Sequence, residues 1–351
     1  MSIKIFTYYY TNNYGAQLQS LCLKGFLEEN LKLKVDYAKY LPKKLLFKEI
    51  YSPMLTKNLF KSYQFMKKNY YFSRWKKKMR IPKPKFSRYA NNALISIYGS
   101  DEIWNYMNPY FGFDPYFFGE KNDGFKIAYS ASIGKADINK LNNFQEKKIK
   151  GLLNSYNFIS VRDTNTANFV NKMTNQSPFI TVDPTLLSTP NVLKNYINAI
   201  DEKSKKYALI YGTIFSNEEK KKILNYCKKK NIQSISIGYN NNWVDKNYIW
   251  ATPTDFIKYL SRADIVFTSM FHGIVLSVKL KKQFWYSIDP IRKSKISYFI
   301  DYLNLSSRLL SNSENLNANF DYALIENKLF DWIKLSKEYL TNSINKSELI
   351  K

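Results

Sequence analysis

Four stretches of the chain place polar and charged side chains where a small anion or a sugar could be held. SVRD closes the apolar run 158–161 with Arg162, and an arginine can grip a carboxylate or phosphate through two parallel hydrogen bonds, which lysine cannot. SASIGK follows the strand-like run 126–130, and its Ser132, glycine and Lys135 suit a loop that binds a phosphate or carboxylate through backbone N–H groups. GSDEIWN follows the apolar run 93–98; it sets Ser100, Asp101 and Glu102 just past a strand end and offers Trp104 as a wall on which a sugar ring could stack. FTSMFHG carries Ser269, Gly273 and His272, the only histidine in 351 residues. In an open α/β sheet such turns lie at the carboxyl ends of strands, where ligands bind.

Each stretch also has a plainer reading. His272 could cap its helix or fill the core, Asp101 could be the N-cap of a short helix, and Arg162 could form a surface pair with Asp163. Near the start, NNYGAQLQ puts Asn13, Tyr14 and Gly15 in a turn before a helix expected from Ala16. A helix N-terminus after such a loop can take an anion, although neither GxGxxG nor GxxxxGK[ST] is present and a plain packing turn is the preferred reading.

The elements that must position these residues alternate. Short apolar, partly β-branched runs at 3–6, 35–37, 93–98, 126–130, 158–161, 179–182, 207–211, 233–237, 263–268 and 283–287 read as buried strands. Between many of them lie helical patterns, among them 165–172, a helix 216–229 opened by Ser216 with Glu218 and Glu219, and a helix 255–261 capped by Thr254. Residues 240–250 read as a polar, aromatic loop, 190–206 as a linker with a connecting helix, and 289–295 as a basic cleft-edge loop with Arg292 and Lys295. The fold class expected is α/β, two Rossmann-like domains facing across a cleft. Their extents are 1–195, with a basic and aromatic insert at about 42–88, and 196–325; a C-terminal helix at 326–351 would return to the first domain.

Composition bounds the function. Length suggests about two domains, and 45% hydrophobic with 17% aromatic residues is ample for a core. No apolar run reaches the roughly 18 residues a spanning helix needs, and no signal-peptide pattern opens the chain. Cys22 and Cys227, far apart and outside any CxxC or Cys/His cluster, speak against a disulfide framework or a zinc site, so a reducing cytoplasmic setting is expected and no metal. The 54 lysines and arginines against 28 acids give +26, which favours anionic partners or, as an equal alternative, reflects in part a codon bias toward Lys, Asn, Ile, Tyr and Phe. The insert, with KSYQFMKKNYYFSRWKKKMR, could lie on an anionic membrane at the inner face of the plasma membrane or be a solvated surface helix. Without RNP, KH, zinc-finger or P-loop signatures, nucleic acid is not the expected partner.

Taken together, NYGAQLQSLCL, GSDEIWN, YSASIGK, SVRD, VDPTLL, PTDFIKYLSRADIVFTSMFHG and RKSKISYFIDYLNLSSRLL resemble, in order and spacing, the polysaccharide pyruvyl transferase family, in its phenylalanine-histidine-glycine branch. The resemblance covers almost the whole chain outside the insert. It implies a GT-B-like fold and transfer of the enolpyruvyl group of phosphoenolpyruvate to a sugar of a cell-surface glycan, with that donor as co-substrate and no further cofactor. His272 would then serve in acid/base work or meet the departing phosphate, Arg162 would hold the donor, and Asp101 or Glu102 would orient or deprotonate the acceptor hydroxyls. A lipid-linked or nucleotide-activated glycan would be the acceptor. Where some members carry an arginine two residues before the histidine, this chain has Met270, and Arg292, Lys295 or Lys135 could supply that charge. Two other readings stand beside it: a glycosyltransferase on the same architecture, and a non-catalytic basic protein binding nucleic acid or membrane.

Overall fold

The computed structural model describes residues 3–52, 55–88, 93–198, 206–288 and 293–348. They form two compact units, one of residues 1–55, 76–190 and 330–351, the other of residues 56–75 and 191–329.

The first unit is built on a six-stranded parallel sheet. Its strands are β1 (Ile3–Phe6), β2 (Val35–Tyr37), β3 (Ile95–Tyr98), β4 (Phe125–Ala131), β5 (Phe158–Val161) and β6 (Phe179–Ile180), in the order β2-β1-β3-β4-β5-β6. The second unit has a five-stranded parallel sheet of β7 (Tyr207–Tyr211), β8 (Gln233–Ile237), β9 (Lys246–Tyr248), β10 (Ile265–Thr268) and β11 (Phe284–Tyr286), in the order β11-β10-β7-β8-β9. Central strands such as ISIY in β3, YALIY in β7 and IVFT in β10 are buried at every position. Parallel strands covered on both faces read as continuous apolar runs rather than as alternation.

In chain order, helices α1 (Tyr14–Gly25), α2 (Lys43–Leu46), α3 (Leu59–Lys78), α4 (Asn143–Leu153), α5 (Thr164–Thr174) and α6 (Pro184–Leu187) come before the crossing from the first unit to the second at 190/191. Helices α7 (Asn191–Asn198), α8 (Asn217–Lys230), α9 (Pro253–Arg262), α10 (Phe271–Lys279), α11 (Lys293–Tyr302) and α12 (Ala323–Glu348) follow it. The expected two-domain α/β class is what the chain adopts: each sheet is doubly wound, because its strand order reverses once.

Several expectations need correction. Residues 56–75, the greater part of α3, group with the second unit rather than forming an insert of the first. The reason is side-chain contact: Gln64 Oε1 accepts the Trp250 indole N–H at 2.6 Å, and Lys68 Nζ donates to the Gly238 carbonyl at 3.1 Å. The C-terminal helix needs no such correction, since from Phe330 onward the chain groups with the first unit. There Trp332 Nε1 donates to Ile180 O (2.9 Å) and Ser336 Oγ accepts from Val182 N (3.0 Å), which satisfies edge groups beside β6. The loop expected at 240–250 contains β9, whose burial is exposed-intermediate-exposed. The cap of α9 is Thr252, not Thr254: Thr252 and Asp255 form the capping box, with Pro253 in the first turn. Residues 199–205 of the expected linker lie outside the described residues.

Candidate functional site

In the first unit the strand order reverses at β1, so the ligand crevice of such a sheet falls beyond the carboxyl ends of β1 and β3. The GSDEIWN loop sits there. Thr7 Oγ1, just past β1, donates to the Ser100 carbonyl at 2.9 Å and is itself held by Gln19 Nε2 of α1 at 2.9 Å. Tyr8 donates its hydroxyl to the Glu102 carbonyl at 3.2 Å. Asp101 is no helix cap: it stands at φ 82°, a left-handed conformation costly for a residue with a β-carbon, and its Oδ1 accepts the Glu102 N–H at 2.8 Å. The bond from Ser132 N to Asp101 O, 3.2 Å, ties this strained residue to the end of β4. Glu102 Oε2 accepts from Asn105 Nδ2 at 3.2 Å, and its carboxylate lies against Gly134, where a methyl group would stand 2.4 Å from Glu102 Cδ.

Arg162, 5% exposed, follows β5. Its Nη1 lies 3.6 Å from Asp183 Oδ2, the oxygen that also accepts Ser100 Oγ at 3.4 Å. The other oxygen of Asp183 caps α6 through Thr185 N (3.0 Å) and Oγ1 (2.7 Å). Asp183 therefore brings together Arg162 and Ser100, two residues singled out in the sequence. The surface pair with Asp163 does not form; Asp163 is buried, caps α5 through Thr166 N at 2.8 Å, and accepts Ser132 Oγ at 2.6 Å.

That bond also corrects the role of Ser132, whose Oγ in addition accepts the Gly134 N–H at 2.9 Å and so fastens a loop rather than facing a ligand. Trp104 is corrected likewise. It is 0% exposed, stacked on Phe118 and edge-on to Tyr156, with its indole N–H given to Phe117 O at 3.0 Å, so no face is open to a sugar. Asn13 caps α1 by accepting from Ala16 N at 3.3 Å; Tyr14 and Gly15 are buried in the first turn, so the helix starts two residues before the expected Ala16. Lys135 is exposed. The sequence offered no hint of Lys76, at 3% exposure, whose Nζ donates to Tyr10 O (2.7 Å) and Asn12 Oδ1 (2.9 Å) and so pins the β1–α1 loop. Burial pushes this ammonium from 10.5 down to about 7.

In the second unit the order reverses at β7, which places the crevice beyond β7 and β10. His272 is the second residue of α10, directly behind β10 and half-buried, its ring edge-on to Phe271 at 5.2 Å. The turn is pressed against the sheet. A methyl group on Gly273 would stand 2.1 Å from Thr268 Oγ1, and one on Gly212, at φ 122°, would stand 2.2 Å from Ser269 Oγ. Ser269, buried, accepts Ile214 N at 3.3 Å, so this hydroxyl joins the loop after β7 to the loop after β10. Met270 N-caps α10 without a side-chain bond, and its sulfur lies 3.9 Å from the Tyr239 hydroxyl. Lys68 Nζ lies 5.8 Å from the Tyr239 ring and binds the carbonyl of Gly238, just past β8. Sequence reasoning missed this cation, because α3 reads as a separate basic segment. Arg292 and residues 289–291 lie outside the described residues; α11 begins at Lys293, and the side chain of Lys295 is likewise not described. Among the described residues no group of three or more His, Cys, Asp or Glu could hold a metal ion.

Two doubly wound parallel units, each with its polar loops at the strand-order reversal, define an α/β protein of the Rossmann type. The chain belongs to the polysaccharide pyruvyl transferase family, whose model matches residues 13–289. A search of curated proteins found no match. Among solved structures the chain is similar to the Neisseria meningitidis UDP-GlcNAc 2-epimerase bound to UDP-GlcNAc, at 9% identity, TM-score 0.47, covering 98% of this chain and 99% of that one. It is also similar to the E. coli heptosyltransferase WaaC with ADP, at 11% identity, TM-score 0.42, covering 84% and 90%.

Proposed function

We propose that this chain transfers the pyruvyl group of phosphoenolpyruvate to a sugar of a surface polysaccharide precursor, lipid-linked or nucleotide-activated, and forms a pyruvate ketal. The observation that carries the reading is Arg162: a guanidinium kept 5% exposed at the carboxyl end of a parallel strand, in a chain of this family. Buried guanidinium groups are suited to carboxylate and phosphate. Arg162 is assigned to the donor.

The reaction balances without a redox partner. The methylene carbon of the enol phosphate gains a proton and becomes a methyl group, and one sugar hydroxyl adds to the carbon that bears the phosphate. The C–O bond to phosphate then breaks, the second hydroxyl adds, and phosphate leaves. Two hydroxyl protons are lost, one replaced on carbon and one carried off on phosphate. His272 is assigned the proton transfers or contact with the departing phosphate, and Asp101 or Glu102 the acceptor hydroxyls. Lys68 is assigned the charge that an arginine in place of Met270 would bring, because it stands beside Tyr239, which touches Met270.

The test is to incubate the purified chain with phosphoenolpyruvate and a panel of hexose glycosides. Phosphate release with an acid-labile ketal product is expected, abolished in His272→Ala and weakened through KM in Lys68→Met. Heat protection by a UDP- or CMP-sugar with none from phosphoenolpyruvate would overturn the assignment in favour of glycosyl transfer.

A further inference from the structure

Helix α3 runs for 20 residues, LFKSYQFMKKNYYFSRWKKK, with seven lysines and arginines and no acid. Gln64 and Lys68 seat it in the second unit, and Tyr71 stacks on Trp250 at 6.5 Å. Leu59, Tyr63, Met66 and Tyr70, spaced i, i+4, i+7 and i+11, fall on a different stripe. That stripe is exposed at 84, 55, 56 and 56%. Cations border it: Lys67 Nζ lies 5.9 Å from the Tyr63 ring, and Arg74 bonds the Tyr70 hydroxyl at 3.1 Å.

We infer that this stripe docks on the surface of an anionic lipid bilayer. An apolar row facing water is costly in a soluble chain unless something covers it. Its chemistry specifies what does. Tyrosine hydroxyls and flanking lysine and arginine heads fit the headgroup layer while leucine, methionine and ring carbons reach the acyl boundary. The absence of any acid on the helix matches the sign of anionic headgroups, which attract cations held near the bilayer surface. The helix lies on the bilayer rather than crossing it, since none among the described residues is long and apolar enough to span. This inference is independent of the donor the enzyme uses.

The experiment is co-sedimentation of the full chain with vesicles of phosphatidylcholine alone, or of phosphatidylcholine with phosphatidylglycerol, at low and physiological salt. The wild-type chain should pellet with the anionic vesicles and not the neutral ones. Met66→Glu/Tyr70→Glu should lose about tenfold or more in binding, through lost apolar burial and added repulsion. Leu59→Ser/Met66→Ser, which adds no charge, should lose binding in the same direction; unchanged melting temperatures identify the folded variants. Lys228→Glu/Lys229→Glu/Lys230→Glu at the end of α8 removes more positive charge and leaves the stripe intact, so it should keep most of the binding. Equal loss in the α8 variant, no pelleting of the wild type, or a stripe variant that turns a solution dimer into a monomer would each overturn the inference.

Discussion

Arg162 and Asp183 form an ion pair at 3.6 Å with side-chain exposures of 4 and 1%, although the two residues lie at the ends of different strands. One carboxylate oxygen faces the guanidinium while the other holds the first turn of α6. The geometry is that of a counter-ion that places an arginine, rather than a closed bidentate clasp.

Removing the counter-ion should therefore cost more than removing the pair. Asp183→Asn leaves a buried guanidinium without its carboxylate, and such breaks cost about 3–5 kcal/mol. Arg162→Met/Asp183→Asn should recover a substantial part of that loss. Chemical denaturation of the wild type, both single variants and the double variant measures the coupling; additive losses would show that the two side chains do not interact.

Two glycine substitutions should move stability in opposite directions. Gly273→Ala drives a methyl group to 2.1 Å from Thr268 Oγ1 and 2.9 Å from Tyr211 Cδ1, and should cost about 1–3 kcal/mol. Gly151→Ala, in the exposed part of α4 with nothing within 4 Å, should gain about 0.5–1 kcal/mol. Melting temperatures of the two variants decide.

Lys76 gives a pH signature. Burial sets its folded value at about 7 against 10.5, so between these limits the unfolded chain binds a proton that the folded chain does not. Stability from this group is fully present above 10.5, and is lost as pH falls through that window to about 7. Lys76→Met has no titrating group at this position. The stability of wild type minus variant should accordingly rise by several kcal/mol between pH 7 and pH 10, in proportion to the shift. A flat difference would mean that Lys76 keeps an ordinary ammonium.

Much of the fold is legible in the chain because parallel strands leave continuous apolar runs. β5, β7 and β8 occupy the spans their hydrophobicity marks, and Ser216 with Glu219 announces α8 through its capping box. β9 escapes notice because KNY at a sheet edge has no apolar pattern to display. The partner of Arg162 could not be read locally: Asp163 is adjacent in sequence yet is consumed in capping α5, while Asp183 arrives from beyond the next strand. Lys68 and Gly238 stand 170 positions apart, and only the fold joins them. Trp104 was misjudged because a tryptophan beside two acids has the composition of a sugar platform whether its ring faces solvent or the core.

The most direct test of the donor chemistry is to run the reaction in deuterium oxide and determine the mass and methyl NMR signal of the acceptor product. Protonation of the methylene carbon of phosphoenolpyruvate should leave one solvent deuterium in the ketal methyl group, with a molar equivalent of phosphate, and no product with His272→Ala. An acceptor that gains a sugar from a nucleotide donor, or phosphate released with free pyruvate and no ketal, would contradict it.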